Sequence, residues 1–219
     1  MIKYLILLII SFSFSQECEN GRYEEEIFNN VYITSGVYYG TNSNDGIFGN
    51  VDEDLYLDVY EPYDDDLEDR PVVIMLFGGS FIGGSRTSPD IVELCTRYAR
   101  MGYVAVAIDY RLTLDLLILA NETTAYKAAT KGIHDLKAAI RFLRMNDELY
   151  NDYRIDTDRI YAGGVSAGGI SAVNAAYLDL DSEVPTFIQD WMEDNGGLEG
   201  NSGNLGYDSS FHGIINLCG

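Results

Sequence analysis

Residues 160–170 read Ile160-Tyr161-Ala162-Gly163-Gly164-Val165-Ser166-Ala167-Gly168-Gly169-Ile170, and their pattern decides the fold. Ile160 to Gly163 is a short apolar run of the kind that forms a buried strand. Ile170 to Leu178 has the spacing of a helix. Between them stands Gly164-Val165-Ser166-Ala167-Gly168, a G-x-S-x-G turn. A serine on such a sharp strand-to-helix turn projects its hydroxyl from the carboxyl edge of a sheet. Gly164 and Gly168 leave room for strand and helix to approach closely. Ala167 is small, and its backbone N–H can point at a developing oxyanion.

A second glycine-rich turn lies upstream. Val72 to Phe77 (VVIMLF) is a continuous apolar run that suits a strand buried on both faces, and Gly78-Gly79-Ser80-Phe81-Ile82-Gly83-Gly84-Ser85 follows it. The turn is not a phosphate loop, because Gly78 and Gly83 are followed by Gly84, and Gly79 and Gly84 by Ser85, where that motif needs lysine. Neither turn supplies G-x-G-x-x-G. The upstream turn's glycines would let backbone N–H groups face a cleft, and the natural role for that is the other half of an oxyanion hole. One such donor contributes about 10²–10³ in rate.

The rest of the chain alternates strand and helix. Residues 31–39 and 54–60 alternate apolar and polar positions, as half-exposed strands do. Asp64, Asp65 and Asp66 read as a solvated hairpin turn in preference to a calcium site. Pro89 to Arg100 has helical spacing through Ile91, Leu94, Cys95 and Tyr98, with Gly102 to end it. Tyr103 to Ile108 is a second buried strand. Residues 112–125 are irregular, and Lys127 to Leu143 is an amphipathic helix. Residues 181–209 form an excursion with one short helix, and Gly213 to Leu217 is another buried strand. This alternation implies an α/β fold with a mostly parallel central sheet.

Four segments in this order, FGGSFIGGS, GYVAVAIDYRL, DLKAAIRFLR and DTDRIYAGGVSAGG, resemble the carboxylesterase/lipase branch of the α/β-hydrolases over roughly residues 54–180. The resemblance implies helices on both faces of the sheet, here ending after about the sixth strand. It implies Ser166 as nucleophile, with Gly78, Gly79 and Ala167 as the oxyanion hole. Two departures from the family's His-Gly-Gly-Gly turn stand out: Phe77 replaces the histidine and Ser80 the third glycine. The family's order of triad members is serine, then Asp or Glu, then histidine. His134 precedes Ser166 in a helical pattern and His212 lies just before the last strand, so both read as structural. The acid and base are therefore expected after Gly219, in a longer hydrolase of which residues 16–219 are the amino-terminal part. The strand at 213–217 would then leave a hydrophobic edge.

Lys3 followed by an apolar stretch, with Ser13 and Ser15 ahead of Gln16, reads as a signal peptide over residues 1–15. Glu17 before Cys18 argues against a lipoprotein. The expected product is secreted or periplasmic, with no stable membrane span. Export permits disulfides, but Cys18, Cys95 and Cys218 are odd in number and spaced for no zinc site, and no metal or other cofactor is expected. The formal charge of −21 repels phosphate backbones, which excludes a nucleic-acid partner. The function expected from all this is hydrolysis of a small-molecule, lipid or polymer ester, with residues 112–125 and 181–209 contributing to a lid or pocket wall. The alternative is an inactive α/β-hydrolase domain used for binding or adhesion.

Overall fold

The computed structural model describes residues 20–46, 49–113 and 121–219. The signal-peptide reading, Cys18 and residues 114–120 of the irregular stretch 112–125 lie outside the described residues. The elements are β1 (Val31–Gly46), β2 (Gly49–Pro62), β3 (Arg70–Leu76), α1 (Pro89–Met101), β4 (Val104–Ile108), α2 (Glu122–Leu149), β5 (Ile155–Val165), α3 (Ala167–Tyr177), α4 (Thr186–Asp194) and β6 (Gly213–Leu217). They build one six-stranded sheet in the order β1-β2-β4-β3-β5-β6. β2 is antiparallel to both β1 and β4, whereas β4, β3, β5 and β6 run parallel.

The apolar runs explain the centre of this order. Every residue of β3 and of β4 is buried, which requires cover on both faces of the sheet. α1 packs on β4, β2 and β3, while α2 and α3 pack on each other and on β5. α1 starts with Pro89 in its first turn, where the missing N–H costs nothing, and ends on Gly102 in the left-handed conformation (φ 105°). The α/β-hydrolase architecture expected from the sequence is the one observed.

Several local expectations are corrected. The turn at Asp64–Asp66 is not a hairpin, because β4 lies between β2 and β3 in the sheet. Nor is it fully solvated: Asp65 is buried and accepts two hydrogen bonds from Arg22, at 3.0 and 2.5 Å. β5 is eleven residues long, and α3 begins at Ala167, directly after the serine. α2 begins at Glu122, where Asn121 caps it by accepting from the Thr124 N–H. β6 is half-buried, with Asn216 exposed, because it forms an edge of the sheet.

Candidate functional site

The parallel register sets β3 and β5 side by side, with Leu76 opposite Gly164, so both glycine turns leave the sheet at the same edge. Ser166 stands between β5 and α3 with φ 50° and ψ −113°. A side chain with positive φ costs about 1–3 kcal/mol. The surrounding backbone holds it there. The Ser166 N–H donates to the Leu217 carbonyl of β6 at 2.8 Å, and the Ser166 carbonyl accepts from Ile170 N–H at 2.9 Å. The serine sits at the helix N-cap, yet its side chain makes no capping bond, so its hydroxyl is not consumed by the helix.

The flanking glycines are required by contact distance. A Cβ on Gly164 would lie 2.4 Å from the Gly168 carbonyl carbon and 2.7 Å from the Leu76 oxygen. One on Gly168 would lie 2.3 Å from that same oxygen. The two positions are the crossing point of β3, β5 and α3. Gly78 is brought against the elbow, since a Cβ there would meet Val165 O at 3.0 Å and Ser166 Cβ at 3.4 Å. Gly79 has φ 134° and packs on Gly83 so closely that a Cβ would lie 2.0 Å from its oxygen. The N–H groups of Gly78, Gly79 and Ala167 donate to no backbone acceptor among the described residues. Among the described residues these three donors thus have no backbone partner, with Gly78 packed against the serine and Ala167 adding the positive end of α3.

Phe77 alters the bracing of this turn as follows. Its buried ring stacks on Tyr110 with centroids 4.2 Å apart and planes at 16°. The Tyr110 hydroxyl donates to the Phe77 carbonyl at 2.8 Å, and burial pushes that hydroxyl's pKa up, which keeps its proton in place. Farther along, Phe81 O accepts from Thr113 N–H at 2.8 Å, and Arg86 N–H donates to Asp109 at 2.8 Å. The Arg86 guanidinium bridges Asp58 and Asp109. Ser80, in place of the third glycine, has φ 53° and is strained accordingly.

Neither histidine reaches the serine's hydroxyl as a partner. The His134 Nε2–H donates to Gly197 O at 2.7 Å. Burial, aided by the Arg111 charge, pushes the His134 pKa down to about 4, so its ring is neutral at physiological pH. His212 Nδ1 accepts from the Ile160 N–H at 3.3 Å. Both act as structural histidines. The two cysteines described, buried Cys95 and exposed Cys218, are unpaired.

Residue patterns did not reveal a buried ion pair that joins the segment after β4 to α2. Arg111, following β4, and Asp135, on α2, are both buried and lie 3.0 Å apart. Asp135 also accepts from Ser202 Oγ at 2.6 Å, and Arg111 donates to Ser43 O at 2.7 Å. Four separate parts of the chain meet at this pair. The available signal was the presence of Arg111 and Asp135 inside two segments that are otherwise buried. The excursion at 181–209 packs across α2, held by Lys137 and Arg141 on Glu199 and by Arg141 on the Gly203 carbonyl, and reaches β1 where Asn204 donates to Tyr39 O.

Comparison with known proteins agrees with this arrangement. The model of the family described as BD-FAE matches residues 57–210, well over half of the chain. Acetylcholinesterase of Gallus gallus is 34% identical over 118 residues, covering 53% of this chain and 14% of that protein. Esterase LipC of Mycobacterium tuberculosis is 31% identical over 113 residues, covering 52% of this chain and 24% of that protein. The propionate-bound esterase Est2 of Thermogutta terrifontis shares the fold, with a TM-score of 0.52 at 23% identity over 81% of this chain and 54% of that one. The chain thus spans about half the length of that solved structure and less of the curated relatives.

Proposed function

Because the chain belongs to the BD-FAE family of carboxylesterase-like α/β-hydrolases, we propose that it provides the nucleophile and oxyanion hole of a carboxylic-ester hydrolase. One observation carries this reading: the strained Ser166, its hydroxyl unused by the helix it caps, lies against Gly78 and next to Ala167, whose N–H groups have no backbone partner among the described residues. In the proposed reaction the Ser166 oxygen attacks the ester carbonyl. The carbonyl π-electrons move to its oxygen, and the N–H groups of Ala167, Gly78 and Gly79 stabilise that charge. Collapse of the tetrahedral intermediate expels the alcohol, which takes up the proton that left Ser166. Water then cleaves the acyl-serine and releases the acid. Neither His134 nor His212, each engaged elsewhere, is assigned to move these protons. We place the mature protein outside the cytoplasm, beginning at Gln16.

The test is fluorophosphonate labelling of the protein as its gene expresses it, with peptide mapping. An adduct on Ser166 that Ser166→Ala abolishes, and a mature chain starting at Gln16, are the expected results. An unlabelled Ser166 peptide overturns the catalytic reading. It would favour a binding module instead, the reading that the engagement of His134 and His212 elsewhere supports.

A further inference from the structure

A cleft of about 450 Å3 lies in the excursion that follows α3. One wall is the turn carrying Asp181, Ser182 and Val184, and the other is Gln189, Met192 and Glu193 of α4 with Gly197 beyond them. α3 starts directly after Ser166 and runs for 11 residues, about 16 Å, so the turn stands at the far end of that helix from the serine. We infer that this cleft binds a small primary alkylammonium ion, its N–H groups on Asp181 and Glu193 and its chain on Val184 and Met192.

The floor and the rim differ in character. Val184 and Met192 are buried and pack with Ile188 in a small apolar cluster of their own, so the cleft has an apolar floor. Asp181 and Glu193 are exposed at its rim, and neither carboxylate has an ion pair or hydrogen bond among the described residues. The Gln189 amide nitrogen donates to Val184 O at 2.9 Å, which leaves its oxygen as a further acceptor. No Lys, Arg or His lines the cleft. Lys137, which reaches the neighbouring Leu198 carbonyl at 2.9 Å, is committed there and to Glu199. The complement of such a site is a group with positive charge and several N–H donors, and an ammonium has three donors and no acceptor. Its methylene chain can lie on apolar surface while the charged head stays at the rim, as lysine side chains do. The volume is that of a small-molecule site.

Other ligand classes fit less well. An anion would meet like charge on both walls and no cation. A metal ion would find two carboxylates, and among the described residues no group of three or more His, Cys, Asp or Glu is placed to hold one. A neutral alcohol could reach the apolar floor but would leave both carboxylates uncompensated. A quaternary ammonium supplies the charge without an N–H donor. The formal charge of −21 attracts every cation to the surface at large, so a readout inside the cleft is what separates the site from general attraction.

Met192 supplies that readout, because its side chain lines the cleft. The experiment titrates methionine-methyl-labelled protein with hexylammonium chloride and follows the Met192 methyl resonance, assigned with Met192→Leu, by NMR. The salt is 0.15 M, where the Debye length is about 8 Å and surface attraction is screened. A saturable Met192 shift is expected, with the methyl of Met75, fully buried in β3, unmoved. Glu193→Gln and Asp181→Asn should each weaken binding about fivefold or more, whereas Asp66→Asn, which removes the same charge from an exposed position elsewhere, should change it less than about twofold. Hexanol and hexyltrimethylammonium should bind about tenfold or more weakly than hexylammonium. Urea-denaturation midpoints equal to wild type show that the variants are folded. The proposal is overturned by the absence of a saturable Met192 shift, by equal binding of hexanol or hexyltrimethylammonium, by affinity retained in both cleft variants, or by a loss in Asp66→Asn as large as theirs.

Discussion

A single methyl group measures how tightly the elbow is built. In Gly168→Ala the new carbon would lie 2.3 Å from Leu76 O and 2.6 Å from its carbonyl carbon, both backbone atoms of a buried central strand. Neither can rotate away, so α3 must lift from β3. The expected cost is about 2–3 kcal/mol in urea denaturation, together with loss of Ser166 labelling. Gly83→Ala is the control within the other glycine turn, where a methyl group meets nothing within 4 Å. Its stability should stay within about 0.5 kcal/mol of wild type. Equal effects from the two substitutions would refute the crossing geometry at Gly168.

At the level of elements, the Arg111–Asp135 pair ties the segment after β4 to α2, β1 and the excursion. Removing one partner strands a buried charge, so Asp135→Ala should cost about 3–5 kcal/mol by urea denaturation. The double variant Arg111→Met with Asp135→Leu should recover most of that loss, since it removes both charges and keeps volume. A double variant as unstable as the single one would show that the pair's hydrogen bonds to Ser43 and Ser202 matter more than charge compensation. Such a pair also marks where sequence reading stops. β3, β4 and α1 were legible because apolar runs and terminal Pro and Gly residues are local signals. The elbow was legible as a local strand–turn–helix motif, although its glycines also answer to Leu76 of β3, a contact far away in the chain. β5 was under-read because Asp156, Asp158 and Arg159 interrupt its apolar pattern, although β3 pairs with it as far back as Ile155. Asp65 was misread because its partner Arg22 is 43 residues away. His134 reads as structural from the sequence, but its carbonyl partner lies 63 residues downstream and gives no local signal.

Over the whole molecule, a formal charge of −21 and a buried neutral histidine respond to acid in opposite directions. Lowering the pH from 7 protonates surface carboxylates and relieves self-repulsion, which favours the compact state. That effect is screened, because the Debye length is about 8 Å in 0.15 M salt. His134 is not screened in the same way, since it lies on α2 and is fully buried against the excursion. Its pKa falls from 6.5 in the open chain to about 4 in the fold. A depressed folded pKa means that the unfolded state takes up the proton first as pH falls. The stability His134 contributes is therefore complete above about pH 6.5 and is lost progressively down to about pH 4. The difference corresponds to roughly 3 kcal/mol. In 0.15 M salt the histidine should outweigh the surface, and urea-denaturation stability should fall across that window. His134→Gln keeps a donor for the Gly197 carbonyl but does not titrate, so its stability curve should be flatter by about that amount. Parallel pH profiles for wild type and His134→Gln would show that the acid sensitivity of this fold resides elsewhere.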